Sequence, residues 1–312
     1  MPQFAKWFKS CRNQDVFFQL DRYSGFQVEY RQSCSESQLM SMDDTNEQPN
    51  ARELVDIGAN LTHDSFAADR DSVIENARLA GISRMILTGS TAENSKAAVE
   101  LARRYPNRLY ATAGVHPHHA DHYDAATTEA LRSLLACEQV VAVGECGLDY
   151  FRNFSTPENQ KGAFRAQLDL AVESGLPLFL HQRDAHDDFV AILAPYLSRV
   201  SHAVAHCFTG DKNMLQTYVD MGLYIGITGW ICDERRGHHL QEIINIVPQD
   251  RLMLETDAPY LLPRSLSPKP KSRRNEPRYL VEVLRQVAAS LSKPESEVAQ
   301  MTTANAERFF GL

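Results

Sequence analysis

The sequence predicts a TIM (β/α)₈ barrel with an N-terminal extension, because of its length and two alternating patterns. The chain has 312 residues, 43% of them hydrophobic, and a barrel of eight strand and helix units needs roughly 250 residues in one domain. From Leu54 onward, short apolar runs alternate with longer segments in which apolar residues recur at steps of three and four. This alternation is typical of parallel strands joined by crossover helices, since tight turns cannot join parallel neighbours.

The elements follow in order along the chain. Eight apolar runs predict the strands, at 54–58, 84–88, 109–115, 140–144, 176–180, 202–205, 223–227 and 251–254. Amphipathic segments predict the intervening helices, at 70–80, 92–104, 125–136, 157–174, 187–197 and 212–221. The last barrel helix is expected at 276–290 with Asn275 as its N-cap, and a further helix at 295–309. Eight units favour a closed barrel over an open sheet.

Residues 1–50 differ from the remainder in composition. Aromatic residues crowd the first thirty positions, and a polar run over 33–50 follows that is typical of a linker. We therefore expect a poorly ordered extension over 1–50 and one catalytic domain over 51–312. The aromatic segment is a docking strand, an interaction tail or a stretch without a folded role.

Charge and apolar content limit the partners of the chain. The net charge of −8 supplies no global attraction for polyanions, so nucleic-acid binding requires a local basic patch. No apolar run reaches the 18 or so residues of a membrane span, and the N-terminus lacks the core of a secretion signal. The six cysteines include no C-x-x-C pair, which indicates reduced thiols. We expect a cytoplasmic monomer without a membrane partner.

Four side chains able to bind metal follow predicted strands. They are Glu145, His181, His206 and Asp257. The carboxyl ends of barrel strands meet at the face that carries active sites, so we expect these four side chains to converge. Mixed imidazole and carboxylate ligands suit a hydrolytic Mg²⁺, Mn²⁺ or Zn²⁺ centre, where the metal lowers the pKa of bound water. Asp257 is a candidate both for a ligand and for the general base.

Further histidines and acids lie near this set. His116 follows the third strand, where it binds a substrate phosphate, orients water or braces its own loop. His118 and His119 are expected to be solvated. Asp149 and Arg152 either contact Glu145 and fix its orientation or form a surface ion pair.

The substrate side of the site is predicted from basic and aromatic residues. Arg183 is suited to bidentate contact with a phosphate, unless it pairs with Asp184. A loop at 268–274 and the pair Arg235 and Arg236 both follow strands on the catalytic face, where they predict a phosphate-binding rim. Trp230 and Tyr260 either stack on bases or pack in the rim.

Six strings carry a resemblance to the TatD family of deoxyribonucleases. They occur in order as D-I-G-A-N-L-T (56–62), G-V-H-P-H (114–118), G-E-C-G-L-D (144–149), H-Q-R-D-A (181–185), H-C-F-T-G (206–210) and E-T-D-A-P-Y (255–260). The resemblance spans 54–312 and implies a metal-dependent TIM-barrel hydrolase that degrades DNA. It also implies Glu145, His181, His206 and Asp257 as metal ligands. Most relatives begin with an H-x-H pair, where this sequence has Gly58 and Asn60, as does the subgroup most similar to TatD. This change favours exchangeable Mg²⁺ or Mn²⁺.

The expected function is therefore that of a Mg²⁺-dependent 3′-5′ exodeoxyribonuclease on single-stranded DNA. Asp257, Glu145 and His116 are its expected catalytic residues, and His116 and Arg183 hold the phosphate. One alternative is an amidohydrolase acting on a cyclic amide or small ester, because the same metal would polarise a carbonyl. Another is a non-catalytic barrel that binds a partner through its aromatic N-terminal segment.

Overall fold

The computed structural model describes residues 53–312. The predicted extension at 1–50 lies outside the described residues. Among the described residues, no helix is long and apolar enough to cross a bilayer. The four cysteines of this part of the chain are free thiols, in agreement with the absence of C-x-x-C pairs.

Eight strands form a single parallel sheet in sequence order. A parallel bridge links Ala59, at the end of the first strand, to Ala258, which follows the last strand, so the sheet curls into a barrel. The strands are β1 Leu54–Ala59, β2 Ile82–Leu87, β3 Leu109–Ala113, β4 Val140–Asp149, β5 Leu178–Arg183, β6 Ala203–Ala205, β7 Tyr224–Ile227 and β8 Leu252–Leu254. The predicted TIM-barrel fold is confirmed, because each apolar run contributes a strand.

Helices connect these strands and close the domain. Within residues 53–312 they are α1 Arg70–Leu79, α2 Ala92–Arg104, α3 Ala125–Leu135, α4 Pro157–Ser174, α5 His186–Leu193, α6 Lys212–Asp220, α7 His238–Ile243, α8 Leu280–Leu291 and α9 Glu295–Phe310. The N-cap side chains Thr91, Thr156 and Asp211 each accept a hydrogen bond from the backbone N–H three residues later.

Two predicted helices differ from the observed ones. The segment predicted at 187–197 becomes α5 and then a 3₁₀ turn over Ala194–Tyr196, since Pro195 has no backbone N–H to continue the α-helix. The segment predicted at 276–290 begins with a 3₁₀ turn over Pro277–Tyr279, and Asn275 is not its N-cap. The Asn275 side chain instead donates to the Thr256 carbonyl at 2.9 Å, which ties the start of the last barrel helix to the end of β8.

Strands β4 and β5 extend beyond their predicted ends. Glu145 and His181 therefore lie within strands, whereas the sequence pattern places them just after. Gly144 makes this possible. Its φ is 141°, and a Cβ added there would lie 2.1 Å from the Phe179 carbonyl oxygen of β5. Glycine lets the two strands approach closely at the point where Glu145 enters the site.

Helix α9 covers the end of the barrel opposite to the candidate site. The Thr303 hydroxyl donates to the Glu53 carbonyl just before β1, and the Asn305 amide donates to the Gln249 carbonyl before β8. Phe309 and Phe310 join an apolar cluster with strand residues such as Val55. The starts of the strands are thus sealed by apolar packing, and polar side chains are concentrated at their carboxyl ends.

Candidate metal centre

Glu145 is the centre of a group of three imidazoles. Its Oε1 atom lies 2.7 Å from His206 Nε2, 2.9 Å from His181 Nδ1 and 3.4 Å from His116 Nε2. The carboxylate is buried, with 7% of the residue exposed. Glu145 lies in β4 and His181 in β5, while His206 directly follows β6 and His116 lies in the loop after β3. The barrel thus brings together Glu145, His181 and His206, as the sequence predicts.

The charges of this group stabilise each other. Burial alone would raise the pKa of Glu145, but His206, His116 and His181 together hold it well below its usual value. Burial would lower the pKa of His206, yet the carboxylates of Glu145 and Glu255 raise it well above the ordinary value. The pKa of His181 is also raised, because its bonds to Asp149 and Glu145 outweigh its burial. Without metal, protons on His181 and His206 supply the positive charge.

In both His181 and His206, the ring nitrogen that does not face Glu145 has a carboxylate partner of its own. His206 Nδ1 lies 3.1 Å from Glu255 Oε2, and His181 Nε2 lies 3.2 Å from Asp149 Oδ2. Glu255 also accepts a hydrogen bond from the Cys207 backbone and is fully buried. Carboxylates in this position orient metal-binding imidazoles and raise their basicity. Glu255 is not among the site residues predicted from the sequence, although its position two residues before Asp257, just after a strand, signals a shared face.

His116 is held as a hydrogen-bond donor toward Glu145. Its Nδ1 accepts from the His118 backbone N–H at 3.1 Å, and burial lowers its pKa to about 4. A neutral imidazole that accepts at Nδ1 carries its proton at Nε2, the atom that faces Glu145. His116 braces its own loop through Nδ1, and its Nε2 atom faces the site, where contact with a phosphate or a water stays a prediction.

His118 is not a solvated surface residue, and that prediction is wrong. Its Nε2 atom lies 2.9 Å from Asp149 Oδ2, and its ring packs edge-on against His116 with centroids 4.2 Å apart. The short 3₁₀ turn after β3 directs the side chain back over the site. His119, one residue later, is exposed as expected.

The buried carboxylate of Asp149 hydrogen-bonds to two histidines and not to Glu145. Bonds to His118 and His181 keep its pKa below the usual range despite burial. Arg152 contributes only its backbone N–H, at 2.8 Å from Asp149 Oδ1, while its guanidinium lies 5.6 Å from the Phe151 ring. Neither predicted arrangement of Asp149 and Arg152 is therefore observed.

Asp257 lies on the other side of the site. Burial raises its pKa to about 7, although the charge of His206 opposes this. Asn60 Nδ2 donates to Asp257 Oδ1 at 2.9 Å. Among residues 53–312, the donors whose ligand atoms all lie within 4.8 Å of one another are His116, Glu145 and His181. Asp257 is close enough to sense the charges of Glu145 and His206 but lies outside this tight group.

Gly58 and Asn60, which occupy the two positions of the H-x-H pair, are each matched by a neighbouring carboxylate. A Cβ added at Gly58 would lie 2.6 Å from Glu255 Oε2, so Glu255 fills the space that a larger side chain there would need. Asn60 replaces the second imidazole with an amide that binds Asp257. Asp56, on the same strand, accepts bonds from Thr256 N at 2.9 Å and Thr256 Oγ1 at 2.5 Å, and its burial raises its pKa to about 8.

Arg183 lines a cavity together with His206 and Trp230. Its guanidinium lies over the Phe151 ring, 4.0 Å from the centroid. Within residues 53–312 the side chain forms no hydrogen bond or ion pair, so the alternative pairing with Asp184 is not observed. A half-buried guanidinium at the edge of the site, with its donors unused, is available for an anion.

The predicted basic rim separates into paired and unpaired cations. Arg235 and Arg236 both bind Asp233, each with an N···O distance of 3.1 Å, so their charge is partly neutralised. Three exposed cations of the 268–274 loop have no hydrogen bond or ion pair in the described part of the chain: Lys269, Lys271 and Arg273. Of the two aromatic candidates, Trp230 packs beneath Arg236, whereas Tyr260 is 52% exposed.

The residues present fit a divalent metal. His116, Glu145 and His181 each offer a ligand atom within one small volume, and His206 Nε2 faces the same carboxylate oxygen. The carboxylates behind His181 and His206 are arranged as metal-binding imidazoles require. Imidazole and carboxylate donors suit several divalent ions, so the donor set does not distinguish Mg²⁺ from Mn²⁺ or Zn²⁺.

Comparisons with known proteins identify the family of the chain. The family model for TatD related DNase matches residues 55–311. The chain is 53% identical over 259 residues to the 3′-5′ ssDNA/RNA exonuclease TatD of Erwinia tasmaniensis, covering 83% of this chain and 100% of that protein. It is 51% identical to the protein of the same name from Salmonella typhimurium, over 82% of this chain and 98% of the relative.

Solved structures give the same result. The TatD homologue of Escherichia coli k12 aligns with a TM-score of 0.77 and 29% identity, over 84% of this chain and 99% of that one. A TatD family hydrolase from Entamoeba histolytica aligns at 0.75 with 26% identity, over 83% and 98% of the two chains. An amidohydrolase from Saccharomyces cerevisiae, 23% identical with a TM-score of 0.74 over 83% and 99%, shares the fold. The chain therefore belongs to the family of TatD related DNases, as the six sequence strings predict.

Proposed function

We propose that this chain is a Mg²⁺-dependent 3′-5′ exonuclease that hydrolyses the phosphodiester bonds of single-stranded DNA. One observation carries the proposal: Glu145 lies within hydrogen-bonding distance of His181 and His206, and both rings are oriented from behind by carboxylates. Family membership and the names of the relatives support the nuclease activity and its direction.

The proposed ligands of the metal are Glu145, His181, His206 and Asp257. Bound there, the metal would lower the pKa of a coordinated water and neutralise charge on a phosphoryl oxygen. Glu255 and Asp149 would keep the two imidazoles in orientation. We propose Mg²⁺ as the physiological ion, with Mn²⁺ or Zn²⁺ as alternatives.

Asp257 is the proposed general base as well as a ligand. A carboxylate beside a metal-bound water can take its proton, and in the metal-free site burial raises the pKa of Asp257 to about 7. Asn60 occupies the Oδ1 atom, which leaves Oδ2 for the proton of the attacking water. The charges of Glu145 and His206 influence the pKa of Asp257, which supports a place for this base near the proposed centre.

His116 and Arg183 are the proposed phosphate contacts. His116 presents its Nε2–H group at the centre, and this group would donate its hydrogen bond to a substrate oxygen in place of Glu145. Arg183 has its guanidinium donors unused at the mouth of the cavity beside His206. Together they would orient the scissile phosphate from two sides. We further propose that the enzyme acts as a monomer in the cytoplasm.

End-labelled substrates test this function. Metal-stripped protein is incubated with single-stranded DNA labelled at either end, and Mg²⁺, Mn²⁺ or Zn²⁺ is added back separately. We expect Mg²⁺ to restore stepwise shortening from the 3′ terminus, with RNA and duplex DNA as parallel substrates. Inert DNA together with turnover of a cyclic amide would overturn the proposal in favour of an amidohydrolase.

The Asp257→Asn variant tests the base. Asparagine keeps the size of the side chain and can still accept from Asn60, but it cannot take a proton. We expect kcat to fall by about 10²- to 10⁴-fold, as for the loss of a general base. Leu79→Ala, an exposed substitution at the end of α1, is the matched control. A variant that retains most of its kcat would exclude Asp257 as the base.

A further inference from the structure

Exposed aromatic rings are concentrated on the catalytic face. Among residues 53–312, four large apolar side chains are more than half exposed: Leu79, Phe151, Phe154 and Tyr260. The three aromatic ones lie on the loops that follow β4 and β8. These strands occupy opposite positions in a ring of eight, so the rings flank the mouth of the barrel from two sides.

The two phenylalanines contact residues of the site. The Phe154 ring packs edge-on against His118, with centroids 4.8 Å apart, and His118 binds Asp149 behind His181. The Phe151 ring carries the guanidinium of Arg183 at 4.0 Å. Each ring thus lies one or two contacts from the proposed centre, yet both remain open to solvent. Exposed apolar area of this kind, placed around a polar site, marks a surface that binds something.

Charge on the facing loop indicates what that surface binds. Tyr260 begins the loop that carries the exposed and unpaired Lys269, Lys271 and Arg273. Unused cations together with aromatic rings are the combination that binds unpaired nucleotides, because the cations attract phosphates and the rings stack on bases. Bases of a duplex are already stacked and paired, so exposed rings discriminate in favour of single strands.

We propose that Phe151 and Phe154, with Tyr260 opposite, form a stacking platform for the unpaired bases of the nucleotides nearest the cleaved bond. This inference rests on the proposed nuclease function and adds the means by which a single strand is preferred. The guanidinium held on Phe151 would contact a phosphate while the neighbouring ring surface accepts a base. Because every base has a π-face, the platform would be indifferent to sequence.

A comparison of normal and abasic strands tests the platform. Full-length, Mg²⁺-loaded protein is titrated with a labelled single-stranded oligonucleotide whose phosphorothioate linkages resist cleavage, and with an abasic strand of the same length. The variant Phe151→Leu/Phe154→Leu keeps apolar surface but removes both aromatic rings. We expect the wild type to bind the normal strand about tenfold more tightly than the abasic one, and the variant to lose most of this ratio. Leu79→Ala should retain it.

The outcomes separate the two proposals. An unchanged ratio in a folded double variant overturns the platform, and equal affinity of the wild type for both strands does the same. Quenching of 2-aminopurine at the 3′ end of the bound strand reports stacking in the wild type, so the absence of quenching also contradicts the platform even if the variant fails to fold. Failure of the nuclease proposal is recognised separately, when wild-type protein does not cleave unmodified DNA. Tight binding of a protein partner that Phe151→Leu/Phe154→Leu abolishes, without any base dependence, would assign the surface to protein docking instead.

Discussion

On the two sides of the candidate site, the pKa values of buried carboxylates are shifted in opposite directions. On the side built by β3, β4 and β5, Glu145 and Asp149 are surrounded by imidazoles, and both have pKa values below the usual range. On the side built by β1 and β8, burial raises the pKa of Asp56 to about 8 and that of Asp257 to about 7. The four carboxylates are all largely buried, so burial does not explain the difference.

The difference lies in the partners within hydrogen-bonding distance. Removal from water disfavours the ionised form of any carboxylate and raises its pKa. A neighbouring imidazole that takes up a proton favours the ionised form by more than this cost. Glu145 has two such neighbours, His181 and His206, while Asp257 is bonded by the neutral amide of Asn60. The imidazole side therefore carries permanent negative charge that can hold a cation, and the carboxylate side retains a group that can exchange a proton near pH 7.

The largest effect is expected from Glu145→Gln. The substitution removes the charge shared by His116, His181 and His206 while keeping the size of the side chain. We expect loss of nuclease activity by about 10³-fold or more, together with loss of measurable divalent-metal binding, since the centre loses its common anion. Steady-state rates and isothermal titration with Mn²⁺ measure the two losses. Metal affinity within tenfold of wild type would show that the imidazole side is not the metal centre.

Smaller losses are expected from the carboxylates behind the histidines. Asp149→Asn weakens the support of His181, and Glu255→Gln weakens that of His206. Each should reduce metal affinity by about 10- to 100-fold. Metal titration of both variants, with circular dichroism to verify the fold, provides the measurement. If only Glu255→Gln lowers metal affinity, then His206 is the ring whose orientation matters and His181 is not. The two sides of the site would then contribute unequally to metal affinity.

Metal affinity should also depend on pH in a direction set by the two sides. Glu145 and Asp149 are ionised throughout, because their pKa values are held low, so they release no protons on binding. Asp257, with a pKa of about 7, and the imidazoles of His181 and His206, with raised pKa values, must lose protons to become ligands. Affinity should therefore rise with pH through 7, by about tenfold per pH unit for each proton released.

Calorimetry in buffers of different ionisation enthalpy counts these protons. Asp257→Asn is the informative variant here, since it removes one titrating group and should reduce the number released. Equal heats in all buffers, or an affinity that falls as the pH rises above 6, would contradict the protonation states assigned to the metal-free site.

The sequence predicted most of the barrel and the core of the site because both depend on local patterns. Apolar runs identify buried strands, and Glu145, His181 and His206 were found because side chains at strand ends converge in any barrel. The six-residue α7 is too short to produce a helical period, so the pattern did not reveal it. The extension of β4 past Gly144 depends on a close approach to β5, which a linear pattern does not encode.

Pairings between distant strands account for the errors at the site. The sequence predicts a solvated His118, whereas the structure pairs it with Asp149, 31 positions further along the chain at the end of β4. The bond between Asn60 and Asp257 joins residues 197 positions apart. The residue types at these positions signal that they bind something, but only the register of the closed sheet determines the partner.

The smallest effect, on stability alone, is expected from Asp56→Asn. The folded-state pKa of Asp56 is about 8, while an unfolded chain ionises this group near 3.8. Between these values the unfolded state has lost the proton that the folded state keeps, so rising pH favours unfolding, and the stability due to this group declines from about pH 4 to pH 8. Asparagine can accept from Thr256 N and donate to Thr256 Oγ1 without titrating. Relative to wild type, the variant should gain about 1.4 kcal/mol of stability per pH unit between pH 5 and pH 8. Urea unfolding at the two pH values measures this, and a difference that does not change with pH would mean that Asp56 is ionised in the fold, which would remove the contrast between the two sides of the site.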